Sequence, residues 1–75
     1  MKLLVFGKLA EEIGKQEITI ENFPDVDALR KYLIDIYPAL QNKQFIIAVN
    51  KQKVIGNIVL NESDEIALIP PFAGG

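Results

Sequence analysis

The sequence contains no cysteine and no histidine, and it holds a single serine, Ser63, and a single threonine, Thr19. The absence of cysteine excludes a disulfide framework, a zinc knuckle and a thiol nucleophile, although it leaves the compartment open. The absence of histidine removes the commonest metal ligand and general base, and with it every catalytic pair of a hydroxyl and a histidine. The side chains therefore offer almost no chemistry of their own.

The charges and the apolar runs exclude further classes of partner. Eight basic and ten acidic residues give a net charge of -2, which argues against nucleic acid or an anionic membrane as the main partner. The first apolar run, residues 3–6, ends at Gly7 and is too short for a signal peptide or a membrane span. With 75 residues, of which 49% are hydrophobic and 24% charged, the sequence predicts one globular domain over residues 1–75, located in the cytoplasm.

Five segments have the patterns of strands. A continuous apolar run is typical of a strand covered on both faces, and alternation of polar and apolar residues is typical of a half-buried strand. On these patterns we expect strands at 3–6, 17–21, 45–50, 53–55 and 65–69. A turn at Lys51-Gln52 connects the third strand to the fourth, and the short connection between the first two favours an antiparallel pair.

Two segments predict helices. Segment 8–14 has apolar residues four apart and ends in glycine, which indicates one or two helical turns. A longer amphipathic helix is predicted over 26–37, with Asp25 as its N-cap and Pro38 as its stop. The apolar face of this helix consists of Val26, Leu29, Leu33 and Ile36.

The order of these elements predicts an α+β fold, with one main helix on one face of a mixed sheet of about five strands. This order is typical of the ubiquitin-like β-grasp, in which the first and last strands lie side by side in parallel at the centre of the sheet. The central pairing rests on fold-level analogy, because the pattern of residues alone does not specify it.

A tail of six residues follows the last strand. Its base has two prolines, its tip has no side chains, and its full extent is Pro70, Pro71, Phe72, Ala73, Gly74 and Gly75. Extended, it reaches about 20 Å. Glycine lets a backbone approach a protein surface closely, so a stiff base and a bare tip suit insertion into a narrow slot. The alternative is that the terminal glycines only fray, as chain ends commonly do.

The reactive group of such a tail is the Gly75 carboxylate, because no side chain offers a nucleophile. A terminal carboxylate has a pKa of about 3.3 to 3.7 and is a poor electrophile at neutral pH. It reacts once it is converted to an activated acyl group, such as a mixed anhydride with AMP. Attack by sulfide or persulfide then gives a thiocarboxylate, so a protein without cysteine can still carry sulfur.

A second candidate site is the sheet face that points away from the main helix. Successive residues of a strand point to opposite faces, and in the two central strands the outward residues are apolar: Leu4, Phe6, Ala67 and Ile69. Phe6 and Ile69 are neighbours if the two strands pair in parallel. An exposed apolar patch usually marks a protein interface. The alternative is that segment 8–14 folds over part of this face.

The remaining polar features are weak. An acidic turn contains Glu62, Asp64 and Glu65. A solvated loop is favoured over a metal site for this turn, so no metal site is predicted. Lys51 and Lys53 are interpreted as solvated turn residues.

Residues 60–75, LNESDEIALIPPFAGG, closely resemble the C-terminal signature of the molybdopterin synthase small subunit, the MoaD family. That signature is an acidic turn, an apolar strand, two prolines, two short residues and a glycine pair. Residues 4–14 and Ala48-Val49-Asn50 resemble the family as well. The sequence departs from the family at Gly7, where small residues such as alanine are usual, and at Ser63-Asp64, which replaces a commoner Gly-Asp turn.

The resemblance implies a β-grasp sulfur carrier, inactive alone, that is the sulfur-donating subunit of a sulfurtransferase complex. An E1-like enzyme would use ATP to form an AMP adduct on Gly75, and a sulfur donor would convert it to a thiocarboxylate. The tail, with Gly74 as a spacer, would then enter the MoaE-type large subunit and donate sulfur to cyclic pyranopterin monophosphate, which forms molybdopterin. The resemblance also implies a heterotetramer of two small and two large subunits, with no bound cofactor in the small ones.

Three other functions remain open. A sulfur carrier of the thiamine pathway shares the fold, the tail and the activation, but it is shorter and usually lacks the double proline. A ubiquitin-like modifier would form isopeptide bonds with lysines of other proteins. An interaction domain would have an unreactive tail.

Overall fold

The computed structural model describes residues 1–41 and 44–71. Its strands are β1 (Lys2–Val5), β2 (Glu17–Thr19), β3 (Ile46–Val49), β4 (Gln52–Lys53) and β5 (Ile66–Ile69). Its α-helices are α1 (Gly7–Ile13) and α2 (Val26–Ile36), and a 3-10 helix spans Pro38–Leu40. Among these residues, no helix is long and apolar enough to cross a membrane.

The five strands form one sheet in the order β2-β1-β5-β3-β4. The central strands β1 and β5 are parallel, and the other neighbouring pairs are antiparallel. With the main helix α2 beside this mixed sheet, the architecture confirms the predicted α+β fold and its β-grasp topology.

The main helix begins and ends for the predicted reasons. The Asp25 carboxylate accepts a hydrogen bond from the backbone N–H of Ala28 at 2.9 Å, which satisfies one of the free donors of the first turn. The helix ends at Ile36, two residues before Pro38. Three residues of its apolar face are fully buried: Val26, Leu29 and Leu33.

The prediction that Ile36 belongs to this apolar face is wrong, because its side chain is 41% exposed. Ile36 is the last residue of α2, and the chain then enters the 3-10 helix. Leu40, at the end of that short helix, is 1% exposed and belongs to the core cluster. The sequence analysis did not predict this 3-10 helix.

The hairpin of β3 and β4 also differs from the prediction. The turn lies at Asn50-Lys51, one residue earlier than expected, and both residues have positive φ, 52° and 70°. Consecutive positive φ values are typical of the two-residue hairpin turn whose twist matches the flanking strands. The strand after this turn is therefore Gln52–Lys53 rather than 53–55, and Ile55 is 94% exposed outside it.

Candidate functional site

The two faces of the central strands differ in burial as predicted. On the inner face Leu3, Val5, Ile66 and Leu68 are 4% exposed or less and belong to the core cluster. On the outer face Leu4, Ala67 and Ile69 are half-buried, and Phe6, just after β1, is 47% exposed. The alternation confirms that both faces are apolar. That the outer face is a protein interface stays a prediction.

One row of residues crosses the whole outer face. The strand register aligns its members in the order Glu17, Leu4, Ala67, Ala48 and Lys53. The three central members are apolar, and the two at the sheet edges carry opposite charges. Glu17 pairs with Lys2 across 3.5 Å, and since both side chains are more than half exposed this ion pair contributes little to stability. The row therefore gives the outer face an apolar centre and a charged rim.

A second row lies nearer the tail. The register places Ile46 opposite Ile69, and its continuation from Val5 opposite Leu68 brings Phe6 beside Ile69. The backbone N–H of Phe6 donates to the Leu68 carbonyl at 3.0 Å, which holds Phe6 against β5 just beyond the regular pairing. The predicted neighbours Phe6 and Ile69 thus meet where β5 ends and the tail begins.

Helix α1 packs into the core with Leu9, which is 4% exposed and shares a cluster with the inner-face residues. An open depression lies between α1 and β1, lined among others by Leu4 and Phe6 on the strand side and by Ala10 and Glu11 on the helix side. Segment 8–14 thus leaves Phe6 half exposed, and this outcome favours the exposed-patch interpretation of the outer face.

The base of the tail is described and its tip is not. Pro70 is buried and Pro71 is exposed, so the chain leaves the folded surface between the two prolines. The predicted site residues Phe72, Ala73, Gly74 and Gly75 lie outside the described residues.

At the opposite end of β5, a hydrogen-bonded cluster holds the acidic turn. Asn50 Nδ2 donates to Asp64 Oδ1 at 2.9 Å, and the backbone N–H of Glu65 donates to Asn50 Oδ1 at 3.0 Å. The backbone N–H of Asn61 donates to Asp64 Oδ2 at 2.8 Å. The Asn61 N–H, and after it the Asn50 amide, hold the pKa of the Asp64 carboxyl below its usual value, because both bonds favour the charged form.

This cluster is structural. Asp64 is engaged by protein donors, and Glu62 accepts a hydrogen bond from Asn22 Nδ2 at 2.8 Å. Among residues 1–41 and 44–71, no group of three or more acidic, histidine or cysteine side chains could hold a metal ion. The sequence pattern did not predict these hydrogen bonds of Asn50, although asparagine tolerates positive φ and Asn50 lies in a segment that resembles the family.

A family model described as the ThiS family matches residues 3–75. The chain belongs to the ThiS family.

Curated relatives of this ThiS-family chain match it over its full length. The Caenorhabditis briggsae protein named molybdopterin synthase sulfur carrier subunit is 37% identical to this chain, over 100% of this chain and 96% of the relative. The proteins of that name in Escherichia coli K12 and Homo sapiens are 32% and 37% identical over 100% of this chain, and 99% and 93% of the relative. These relatives confirm the resemblance stated for residues 60–75.

Solved structures agree with the fold of the ThiS-family chain. The small archaeal modifier protein 1 (SAMP1) from Methanosarcina acetivorans has a TM-score of 0.79 and 26% identity, covering 99% of this chain and 94% of that one. A chain in the complex of subunits 1 and 2 of the molybdopterin-converting factor from Helicobacter pylori has a TM-score of 0.72 and 27% identity, covering 99% and 96%.

Proposed function

We propose that this chain is the sulfur carrier subunit of a molybdopterin synthase and that the carried sulfur is a thiocarboxylate on Gly75. The observation that carries the proposal is the match of the whole chain, tail included, to curated sulfur carrier subunits at 37% identity. The lack of cysteine and histidine agrees with it, since a carrier whose reactive group is its own terminus needs no catalytic side chain.

The activation has two steps. The Gly75 carboxylate attacks the α-phosphate of ATP on an E1-like enzyme, which releases pyrophosphate and leaves an acyl adenylate. Sulfide supplied by a sulfur donor then attacks the acyl carbon and AMP leaves, which gives the thiocarboxylate. The chain itself is not the catalyst in either step. ATP and the sulfur donor are consumed during activation, and neither is a resident cofactor.

The partner in the transfer step is the large subunit of the synthase. The complex of subunits 1 and 2 of the molybdopterin-converting factor from Helicobacter pylori supports such a partner for this chain. We propose that the large subunit covers the outer face around Phe6, Leu4, Ile69 and Ala67 and receives the tail. There the sulfur passes to cyclic pyranopterin monophosphate, in a heterotetramer of two small and two large subunits.

Changing the terminus tests the proposal. Deleting Gly75, or adding one residue after it, should abolish sulfur transfer in a reconstituted reaction with the activating enzyme, ATP, a sulfur donor and the large subunit. The melting temperature should stay unchanged, because the tip of a tail contributes little to a core. Normal transfer by the extended chain would refute the proposal.

The similarity to the SAMP1 modifier supports a second candidate, a ubiquitin-like protein modifier. Both functions begin with the adenylate, but a modifier ends in an isopeptide bond between Gly75 and a lysine of another protein. Denaturing gels and mass spectrometry of the chain in its host distinguish them, because only a modifier yields covalent adducts that survive reduction. Reconstitution with the large subunit separates the molybdopterin pathway from the thiamine pathway.

A further inference from the structure

We propose that Gly7 is a positioning residue for the C-terminal tail. Pro70 packs against the α-carbon of Gly7, which has no side chain, and this contact sets the direction in which the chain leaves the sheet after Pro70. The functional consequence rests on the proposed sulfur transfer, whereas the contact itself is tested independently below.

The geometry at Gly7 combines two restrictions. Gly7 has a φ of +59°, a left-handed conformation that side chains disfavour. A Cβ atom at this position would lie 2.9 Å from Pro70 Cγ and 3.6 Å from Pro70 Cδ. The first distance is shorter than real Cβ contacts, so any side chain at position 7 must displace the proline ring or the backbone that holds it.

The contact lies where it can control the tail. Pro70 is buried and Pro71 is exposed, and the carbonyl of Leu68, two residues before Pro70, accepts a hydrogen bond from the Phe6 N–H at 3.0 Å. Residues at the junction of β1 and α1 therefore contact the chain at two points: at Leu68, just before the tail, and at Pro70, the first residue of the tail. Because each proline also fixes its own φ near −65°, little freedom remains at this point.

A small rotation at the base of an extended chain displaces its tip over a larger distance. If the five residues after Pro70 extend as one segment of about 17 Å, a rotation of about 10° at Pro70 displaces the terminus by about 3 Å. A misplacement of about 1 Å in a reacting group can cost about a hundredfold in rate.

The chain provides a matched control for the test. Gly14 also has a positive φ, 84°, but a Cβ there meets nothing within 4 Å. Gly7→Ala and Gly14→Ala therefore both introduce a side chain at a left-handed position, and only Gly7→Ala disturbs Pro70. Each variant is converted to the thiocarboxylate and mixed with the large subunit, and binding and single-turnover sulfur transfer are measured.

At saturating large subunit we expect the transfer rate of Gly7→Ala to fall at least about fivefold, while its Kd changes less than about threefold. Gly14→Ala should transfer at the wild-type rate, although both variants melt at a lower temperature. In a Pro70→Ala background, which removes Cγ and Cδ, Gly7→Ala should have almost no further effect on the rate. An equal loss in Gly7→Ala and Gly14→Ala, or an undiminished loss in the Pro70→Ala background, would overturn the proposal.

A second measurement does not depend on sulfur transfer. Nuclear Overhauser effects between the Gly7 α-protons and the Pro70 ring protons report the contact, and residual dipolar couplings of residues 71–75 report the tail direction. We expect these couplings to change in Gly7→Ala and not in Gly14→Ala. Unchanged couplings in Gly7→Ala contradict the positioning role, whereas an inactive wild type with the expected couplings contradicts only the proposed function.

Discussion

The two ends of β5 are held by different kinds of interaction. At its start, Asn50 and Asp64 connect the acidic turn to the β3–β4 hairpin through side-chain hydrogen bonds. At its end, Phe6 and Ile69 lie side by side and Pro70 packs on Gly7, with one backbone hydrogen bond and no charged group in these contacts. The start of β5 is stabilised by directional hydrogen bonds that water can reach. Its end is stabilised by close packing of apolar groups.

This difference agrees with the proposed function, which assigns a role in partner binding to only one end of β5. The polar end has only to keep the hairpin and the turn in register, and exposed hydrogen bonds suffice for that. In the proposed function, the tail end presents an apolar surface to the large subunit and directs the chain toward it. An apolar surface and a close steric contact achieve both without a charge that an interface would have to bury. Variants at the two ends should therefore affect different properties.

The largest effect is expected at the tail. Gly74→Val places a β-branched side chain where the proposed slot is narrow, and it restricts the backbone. Sulfur transfer should fall by about two orders of magnitude or more with no change in melting temperature, because misplacing the reacting group costs about that much. Single-turnover transfer and thermal unfolding measure the two quantities. Activity within a few fold of wild type would mean that no narrow slot receives the tail.

The next largest effect is expected at Phe6. Its side chain is 47% exposed, so Phe6→Glu should leave the free chain folded. An unpaired charge buried in an apolar interface costs several kcal/mol, which corresponds to at least about a hundredfold weaker binding of the large subunit. Calorimetric titration measures the Kd, and thermal unfolding verifies the fold.

Ile55→Glu is the matched control for Phe6→Glu. Ile55 is 94% exposed, lies after β4 and belongs to neither of the two outer-face rows, so its replacement by the same charge should leave binding unchanged. If Phe6→Glu binds normally, the outer face is not the interface. Equal losses in both variants would mean that net charge, rather than the face, determines the affinity.

A moderate effect on stability is expected at the polar end. Asn50→Ala removes two side-chain hydrogen bonds and puts alanine at a φ of 52°. It should lower the free energy of unfolding by about 2 kcal/mol, measured by chemical denaturation. Asn50→Gly removes the same bonds without the conformational strain and should cost about half as much. Equal losses would show that the strain is negligible, and neither variant should alter sulfur transfer.

The smallest effect is the pH dependence from Asp64. Its hydrogen bonds lower its pKa in the folded state, so its contribution to stability is complete above the ordinary carboxyl pKa and is lost as the pH falls through the lowered value. The stability difference between wild type and Asp64→Asn should therefore be constant near neutral pH and shrink in acid. Asp35→Asn, on the exposed side of α2, controls for the change in net charge. A difference independent of pH would contradict the assignment to the carboxylate.

The sequence predicted those parts of the fold that depend on local patterns. The alternating direction of side chains along a strand grouped the residues of β1 and β5 into two faces, and Asp25 and Pro38 specified the limits of α2. The hairpin turn at Asn50-Lys51 was misplaced by one residue, because its positive φ values come from asparagine and lysine and no glycine marks the turn. The contact of Gly7 with Pro70 joins residues far apart in the sequence, whose proximity only the tertiary packing defines.

The intact mass of the chain tests the central claim most directly. The chain is purified from its host and measured before and after incubation with the activating enzyme, ATP and a sulfur donor, and again after addition of the large subunit and the pterin precursor. We predict a mass increase that corresponds to one oxygen replaced by sulfur at Gly75, and its loss after the final addition. A mass that never changes would contradict the account, and so would a chain found only as covalent adducts with lysines of other proteins.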